Sequence, residues 1–276
     1  MVNSPENVIS DPLYKEKFIN IPRIIADWAA DHGGIAGKDI LEFGCGEGTL
    51  ALGLALRSGA QRVVGVDVLP VFDNCLELAH QQFNLGQLPP NLHFRKIAPG
   101  DPITVWGEFD VVVSWSVFEH VRYDVVEGAI ASIFSVLKPG GLLFLQISPL
   151  YYSAFGSHLS PWIPAPWAHL QMQLDHFQSA LFDAPETPLK VRNEWSVYIP
   201  MDADRQTERS ALWDTFAELN RITAPELVEM LGGAGFEILR DYRTRNEVPV
   251  PHRLSNIYDP DVLTTEQVVL LARKPA

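Results

Sequence analysis

A glycine-rich stretch that joins a short apolar run to a helical pattern constrains the fold of this chain most. Residues 39–43 (DILEF) are typical of a buried strand, Gly44, Gly46 and Gly48 follow at alternate positions, and a helical pattern begins at Thr49. Glycine lets the backbone turn sharply and lets a ligand approach without a Cβ in the way. The free N–H groups at the start of the helix suit an anionic group. The stretch therefore predicts a strand–loop–helix unit that binds a ligand.

The order of the elements that follow predicts an α/β fold with a doubly wound sheet. Apolar runs alternate with helical stripes, as expected for parallel βαβ units. Asp124 and Thr223, each with a glutamate three residues later, indicate capped helix starts. The predicted strands are Asp39–Phe43, Arg62–Val66, Leu92–Ile97, Phe109–Val113, Leu142–Ile147, Phe236–Leu239 and Gln267–Ala272.

The alternation stops at Pro149 and resumes only at Thr223, which indicates an insertion. We expect an N-terminal helical segment over residues 1–35, a ligand-binding domain formed by 36–147 and 222–276, and an inserted substrate-binding subdomain over 148–221. The insertion after the fifth strand is rich in aromatic residues and proline. Such a segment often covers a site, but it can also be a small subdomain with its own aromatic core, and both can hold at once.

Charge and cysteine content narrow the classes of partner and compartment. The chain has 34 acidic and 21 basic residues, a formal charge of -13, so nucleic acid is not an expected partner. Two cysteines cannot form a disulfide framework, which favours a reduced, cytoplasmic setting. Neither a signal-peptide pattern nor an apolar run of membrane-spanning length is visible, so no membrane partner is expected. The oligomeric state is left open.

An acidic residue lies where a nucleoside cofactor would need it. Asp67 ends the second predicted strand, and in a doubly wound sheet that position adjoins the glycine loop, where a carboxylate can accept from both ribose hydroxyls. Glu42, at the end of the first strand, adds an acceptor for an ammonium group. Together these residues predict a nucleoside-containing cofactor. The alternative is that the glycines form only a tight turn and that Asp67 caps a loop.

The spacing Glu42-x-Gly44-x-Gly46-x-Gly48 resembles the first motif of the class I S-adenosylmethionine (SAM)-dependent methyltransferases. The segments VVGVDVLP, FDVVVSWSVFEHV and LKPGGLLFLQISP match further motifs of that family in register, and the resemblance covers about two thirds of the chain. It implies a seven-stranded, mostly parallel sheet whose last strand is antiparallel, with SAM as the cofactor.

The resemblance also implies roles for individual residues. The glycine loop, including Cys45, would hold the methionine part of SAM with Glu42 near its amino group, and Asp67 would bind the ribose. Four further contacts are implied, with Val68 and Leu69 beside the adenine and with Ser114 and Trp115 near the sulfonium.

The segment after the third strand departs from the family pattern. Many relatives have an acidic residue directly after that strand to contact the adenine amino group, whereas Ala98 occupies the position here and Asp101 comes three residues later. Either Asp101 serves from a longer loop, or the backbone alone contacts the adenine.

The acceptor would bind beyond the fourth and fifth strands. His120 follows the fourth strand and is the candidate base if the acceptor is a hydroxyl; with an ordinary pKa near 6.5, the rate would rise through that pH. The alternative is that His120 only supports its loop. Candidate substrate-binding residues in the insertion are Tyr151, Tyr152, His158, Trp167 and His169.

Two further groups in the insertion leave alternatives open. Its histidines match no established metal-ligand spacing, so no metal is assigned. Three arginines near its end, Arg205, Arg209 and Arg221, could hold an acidic acceptor or could be solvated helix charges.

These patterns predict methyl transfer from SAM to a small molecule or a saccharide, at a hydroxyl oxygen. One alternative is a nicotinamide-dependent oxidoreductase, which the glycine spacing and the lack of a Tyr-x-x-x-Lys motif disfavour. Another is a SAM-binding subunit without catalysis. The sequence Ser114-Trp115-Ser116-Val117 differs from the Asn/Asp-Pro-Pro-aromatic motif of many amino-group methylases of DNA and protein, so such substrates are not expected.

Overall fold

The structure is a computed structural model that describes residues 8–101, 103–189, 191, 195, 199 and 202–276. Seven strands form one mixed sheet in the order β3-β2-β1-β4-β5-β7-β6. The strands are β1 Asp39–Phe43, β2 Arg62–Asp67, β3 Leu92–Lys96, β4 Phe109–Trp115, β5 Leu137–Ile147, β6 Glu237–Arg245 and β7 Thr265–Arg273. The predicted doubly wound, seven-stranded α/β fold is confirmed.

Pairing within the sheet is parallel from β3 through β5, whereas β7 runs antiparallel to both β5 and β6. The order in which successive strands are added to the sheet reverses at β1, because β1 pairs with β2 on one side and β4 on the other. Open α/β sheets bind ligands at such a switch point, outside the carboxyl ends of the strands. The loops after β1, β2 and β4 all lie at that edge.

Helices cover both faces of the sheet. Their bounds are α1 Pro12–Lys15, α2 Ile21–Ala29, α3 Thr49–Arg57, α4 Cys75–Phe83, α5 Tyr123–Val136, α6 Ala168–Gln171, α7 Leu174–Asp183, α8 Arg205–Glu218, α9 Ala224–Gly233, α10 His252–Ser255 and α11 Pro260–Thr264. One hydrophobic core joins α2 and α3 to the sheet, and the other joins α5 and α9 to its opposite face. This two-sided cover explains why the central strands are almost wholly apolar.

Helix starts test the two capping predictions. Thr223 and Glu226 form the reciprocal capping box at the start of α9, as predicted. The prediction for Asp124 was wrong: α5 begins one residue earlier, after Arg122, and no side chain caps it. The Asp124 carboxylate instead accepts hydrogen bonds from the Arg122 guanidinium, at 3.1 and 2.7 Å.

The N-terminal segment packs against the first βα unit. A π-helical turn, Glu16–Asn20, connects α1 to α2, and a short 3₁₀ turn follows at Ala30–His32. Lys17 Nζ lies 2.6 Å from Glu47 Oε1 in the glycine loop. This salt bridge places the segment directly beside the candidate site.

The segment between β5 and α9 has a hydrophobic cluster of its own. That cluster brings together α7, α8 and the residues around Trp162. A second, smaller cluster joins Ala154 and Trp167 to Leu254 and Leu263 near the C-terminus. The described part of the chain contains no helix long and apolar enough to cross a lipid bilayer. The proposed domain boundaries stay a prediction.

Candidate active site

The three glycines of the first loop all adopt left-handed backbone conformations, with φ of 78° at Gly44, 50° at Gly46 and 79° at Gly48. A Cβ on Gly44 would lie 2.4 Å from Val117, and one on Gly48 would lie 2.4 Å from the Phe94 ring. A Cβ on Gly46 would meet nothing within 4 Å. Two of the glycines are therefore required by close packing, and the third borders open space.

Asp67 is held against this loop by backbone hydrogen bonds. The Gly46 N–H donates to its Oδ2 at 2.8 Å, and the Leu69 N–H donates to its Oδ1 at 2.9 Å. Each carboxylate oxygen keeps further acceptor capacity. The orientation of the carboxylate is thus set before any ligand binds, and the loop and the acid form one unit.

Glu42 is the most unusual group at the base of the loop. Its side chain is only 3% exposed, and Oε2 has no hydrogen-bond partner within the described structure. Burial raises the pKa of Glu42 well above its usual range, Glu47 raises it further, and Lys17 opposes the rise. A buried, unpartnered carboxylate oxygen is costly, and a cationic ligand group next to it would remove that cost.

The remaining cofactor candidates take different places. Cys45 is buried and its N–H donates to Val66 O at 3.0 Å, so its thiol packs beneath the loop. Ser114 is fully buried, and its Oγ lacks a partner among the described residues. Trp115 stacks on Phe144 with ring centroids 6.0 Å apart, so its indole belongs to the core packing.

Two apolar side chains follow Asp67 and lie open to solvent. Val68 is 42% exposed and Leu69 is 48% exposed. Asp101 is also exposed, but its carboxylate accepts from the Ala98 N–H at 2.7 Å and closes its own turn. Asp101 therefore makes a loop-closing hydrogen bond, and both alternatives for the adenine contact stay predictions.

These features test whether SAM suits the residues present. A cationic amino group suits the unpartnered Oε2 of Glu42, the open space over Gly46 admits a ligand close to the backbone, and the exposed Val68 and Leu69 offer an apolar surface to a base. Asp67 is oriented to accept from hydroxyl groups. The residues fit the cofactor that the resemblance implies.

His120 lies in a short 3₁₀ turn, Phe118–His120, directly after β4. Burial lowers the pKa of His120 to about 3, and His158 contributes to the decrease. The two rings meet edge to face, with centroids 5.3 Å apart. The expected pKa near 6.5 was therefore wrong, because the site disfavours the imidazolium ion, and the ring is neutral across the physiological range.

Glu119, next to His120, is a group that the sequence did not single out. Its carboxyl is 3% exposed, and neither oxygen has a hydrogen-bond partner in the described residues. Burial raises the pKa of Glu119 to about 8, although the nearby backbone N–H groups of Glu119 and Ser148, which do not reach hydrogen-bond geometry, oppose the rise. The acid is therefore largely protonated at neutral pH.

Four of the five candidate substrate-binding residues of the insertion lie near one another: Tyr151, Tyr152, His158 and His169. His158 Nε2 lies 3.2 Å from Pro149 O, and His169 Nε2 lies 2.7 Å from Tyr151 O. The rings of Tyr151 and His169 are 5.1 Å apart, and those of Tyr151 and Tyr152 are 5.4 Å apart. Burial lowers the pKa of both His158 and His169 to about 4. These residues form a wall of neutral rings.

Trp167 does not take part in this wall, and its assignment to substrate binding needs correction. Its side chain is 0% exposed and its Nε1 donates to Tyr152 O at 3.1 Å. The ring packs in the cluster with Leu254 and Leu263. With no accessible surface, the indole supports Tyr152 from behind and cannot contact an acceptor.

Tertiary packing adds two residues that no local motif indicates. Asn220 donates from its backbone N–H to Glu119 O at 2.9 Å and from its side chain to Phe118 O and Val121 O, so it holds the turn that contains His120. Tyr258 contributes a ring 5.3 Å from Tyr152. Within the described residues, no cluster of three or more His, Cys, Asp or Glu side chains could hold a metal ion.

Comparison with known proteins agrees with this geometry. A family profile described as "Methyltransferase domain" matches residues 20–240, most of the chain. The chain therefore belongs to this methyltransferase family, and its fold is that of the class I SAM-dependent methyltransferases, for which SAM is the cofactor.

Individual relatives are similar over part of their length. The chain is 27% identical over 136 residues to a ubiquinone biosynthesis O-methyltransferase of Azoarcus sp. (strain BH72), an alignment that covers 47% of this chain and 52% of that protein. It is 34% identical over 121 residues to the protein of the same description from Chromobacterium violaceum, covering 44% and 48%. The chain thus spans about half the length of the curated relatives it matches.

Among solved structures, the fold is similar to magnesium protoporphyrin IX methyltransferase from Synechocystis PCC 6803, which was crystallised with bound SAM. The TM-score is 0.51 at 15% identity, and the alignment covers 99% of this chain and 85% of that one. At this identity the similarity concerns the fold alone.

Proposed function

We propose that this protein transfers the methyl group of SAM to a hydroxyl oxygen of a small molecule, a saccharide included. The observation that carries the proposal is that two carboxyl groups at the switch point are positioned to bind a ligand. Asp67 is oriented by two backbone N–H groups, and the buried Glu42 has an Oε2 that lacks a partner among the described residues. Beside them, the rings after β4 and β5 offer a separate wall for an acceptor.

The cofactor would be held by Glu42 at its amino group, by the loop from Gly44 to Gly48, and by Asp67 at the ribose. When bound, SAM supplies a methyl group that is already activated on a sulfonium. The protein's own contribution is then to align the acceptor and to exclude water. The half-buried rings of His120 and His158 serve the second purpose, since desolvation dominates the environment of both.

His120 is the proposed proton acceptor for the hydroxyl group. Because its pKa is lowered to about 3, it is neutral and able to accept a proton throughout the working pH range. The same shift makes it a weaker base than a free imidazole, so its contribution should lie near the lower end of the usual range, about 10²-fold in kcat. The curated relatives are O-methyltransferases, which favours oxygen as the methylated atom.

The decisive experiment is incubation of the enzyme with a cell extract and deuterium-labelled SAM, followed by untargeted mass spectrometry. A small molecule that gains a labelled methyl ether supports the proposal. Label on nitrogen or carbon would contradict the hydroxyl acceptor, and the absence of any labelled product despite SAM binding would favour the alternative of a non-catalytic subunit. Parallel titrations with SAM and NAD test the oxidoreductase alternative.

The role of His120 is tested on the acceptor so identified. His120→Ala should lower kcat by about 10²-fold at unchanged SAM affinity. The wild-type kcat should show no step between about pH 5 and 8 that depends on His120, because the ring stays neutral there. His80→Ala, an exposed histidine on α4, is the matched control. Near-normal turnover of His120→Ala would leave the residue only a loop-supporting role.

A further inference from the structure

Three arginines near the end of the insertion have different environments. Arg205 donates from Nη2 to Ala184 O at 2.5 Å, and the buried Arg209 pairs with Glu208 and donates to Pro185 O at 2.6 Å. Both are therefore committed to holding the insertion together. Arg221 is exposed, and none of the carboxylates in the described residues forms an ion pair with it.

Arg221 lies against a group of phenol rings. Its guanidinium carbon is 5.1 Å from the centroid of the Tyr151 ring. Tyr151 adjoins Tyr152 at 5.4 Å, and Tyr152 adjoins Tyr258 at 5.3 Å. We call these three rings the phenol cluster. They come from two separate parts of the chain, and Arg221 contacts the first of them.

The phenol cluster adjoins the proposed base. Ring contacts run from His120 to His158 at 5.3 Å and from His169 to Tyr151 at 5.1 Å. His158 and Arg221 both contribute to lowering the pKa of His169, so both lie within electrostatic range of its ring. The preceding residue, Asn220, donates to Glu119 O at 2.9 Å. Arg221 thus follows directly after a residue that holds the His120 turn.

The charges around Arg221 favour an anion at this place. Burial raises the pKa of both Tyr151 and Tyr152, although Arg221 opposes the rise, so the phenols are neutral hydroxyl donors. The opposing charge is Glu226, which acts on Tyr152. Its carboxylate already accepts from the N–H and the hydroxyl of Thr223, at 2.8 Å each, in the capping box of α9.

We propose that the acceptor carries a carboxylate, which Arg221 binds together with hydroxyl groups of the phenol cluster. A planar guanidinium forms two parallel hydrogen bonds to a carboxylate, and neutral phenols add donors without adding charge. The carboxylate then fixes the acceptor so that its hydroxyl reaches His120. This inference rests on the proposed function, because it assigns the chemical class of the acceptor at the same site.

The test uses two probes that differ only in the charged group, 3,4-dihydroxybenzoate and 3,4-dihydroxybenzamide. Binding to the protein saturated with S-adenosylhomocysteine is measured by calorimetry for the wild type and for Arg221→Gln and Arg221→Lys. We expect the wild type to bind the carboxylate about tenfold or more tightly than the amide. Arg221→Gln should abolish this preference. Arg221→Lys should keep part of it, because lysine retains the positive charge but lacks the planar guanidinium that forms two parallel hydrogen bonds.

Arg122→Gln is the matched control, since Arg122 is an exposed arginine near the same turn that pairs with the surface residue Asp124. It should leave the preference unchanged. Equal binding of the two probes by the wild type, binding of neither, or an undiminished preference in Arg221→Gln would overturn the inference. The labelled-SAM experiment distinguishes failure of the proposed function from failure of this inference. If the carboxylate preference depends on Arg221 but no acceptor is methylated, the inference about the carboxylate stands and the proposed methyl transfer is contradicted.

Discussion

Replacing Glu119 by glutamine should stabilise the protein in a way that depends on pH. The carboxyl is 3% exposed, its oxygens lack hydrogen-bond partners among the described residues, and its pKa is raised to about 8. A folded-state pKa above the unfolded value means that the native state binds more protons between these two values. The free energy of unfolding therefore falls as the pH rises from about 4.5 to about 8.

The magnitude follows from the size of the shift. One pKa unit corresponds to about 1.4 kcal/mol, so a change from 4.5 to about 8 corresponds to roughly 5 kcal/mol of lost stability above pH 8. At pH 7 the loss is roughly 3 kcal/mol, and near pH 5 it is below about 1 kcal/mol. Glutamine has a similar shape and no titrating proton, so Glu119→Gln removes this dependence.

The assay is thermal unfolding followed by circular dichroism, without cofactor, at several pH values between about 5 and 8.5. We expect the Tm of Glu119→Gln to exceed that of the wild type by about 10 °C at the highest pH and by little at the lowest, given about 2–4 °C per kcal/mol for a chain of this size. Glu127→Gln, on the exposed side of α5, is the control and should track the wild type. If the Tm of Glu119→Gln and the Tm of the wild type changed in parallel with pH, the assignment of Glu119 as a buried, protonated carboxyl would be refuted.

Four further substitutions test the cofactor loop and the insertion. Asp67→Ala should weaken SAM binding at least tenfold by calorimetry, since charge-assisted hydrogen bonds contribute about 1.5–3 kcal/mol each; unchanged affinity would exclude the ribose role. Gly48→Ala should lower the free energy of unfolding by about 2 kcal/mol or more than Gly46→Ala does, because only its Cβ would collide with Phe94, whereas Gly46→Ala should mainly weaken SAM binding. Urea unfolding of the two alanine variants checks this order, and equal losses would contradict it. Trp167→Ala should cost about 3–5 kcal/mol in urea unfolding, and a loss below about 1 kcal/mol would show that the indole is not a core residue.

Local sequence patterns were sufficient for the fold. The bounds of β1, the start of α3 at Thr49 and the capping box at Thr223 agree with the prediction, because strand alternation, glycine turns and caps are properties of a few consecutive residues. The loop and Asp67 could be joined from sequence because the switch point of a doubly wound sheet brings the ends of β1 and β2 together. The error at Asp124 arose because its carboxylate binds Arg122 instead of the helix N-terminus.

What the sequence alone determined, then, is the order of strands and helices, the cofactor loop with its two carboxylates, and the existence of an aromatic insertion. Only the tertiary structure decided where the residues of that insertion lie. It placed Trp167 in the core, brought Tyr258 and Arg221 to Tyr151 and Tyr152, and set Asn220 against a turn about 100 residues earlier in the chain. It also shifted the pKa values of His120 and Glu119, because desolvation depends on every neighbour that excludes water from a group, and those neighbours are distant in the chain.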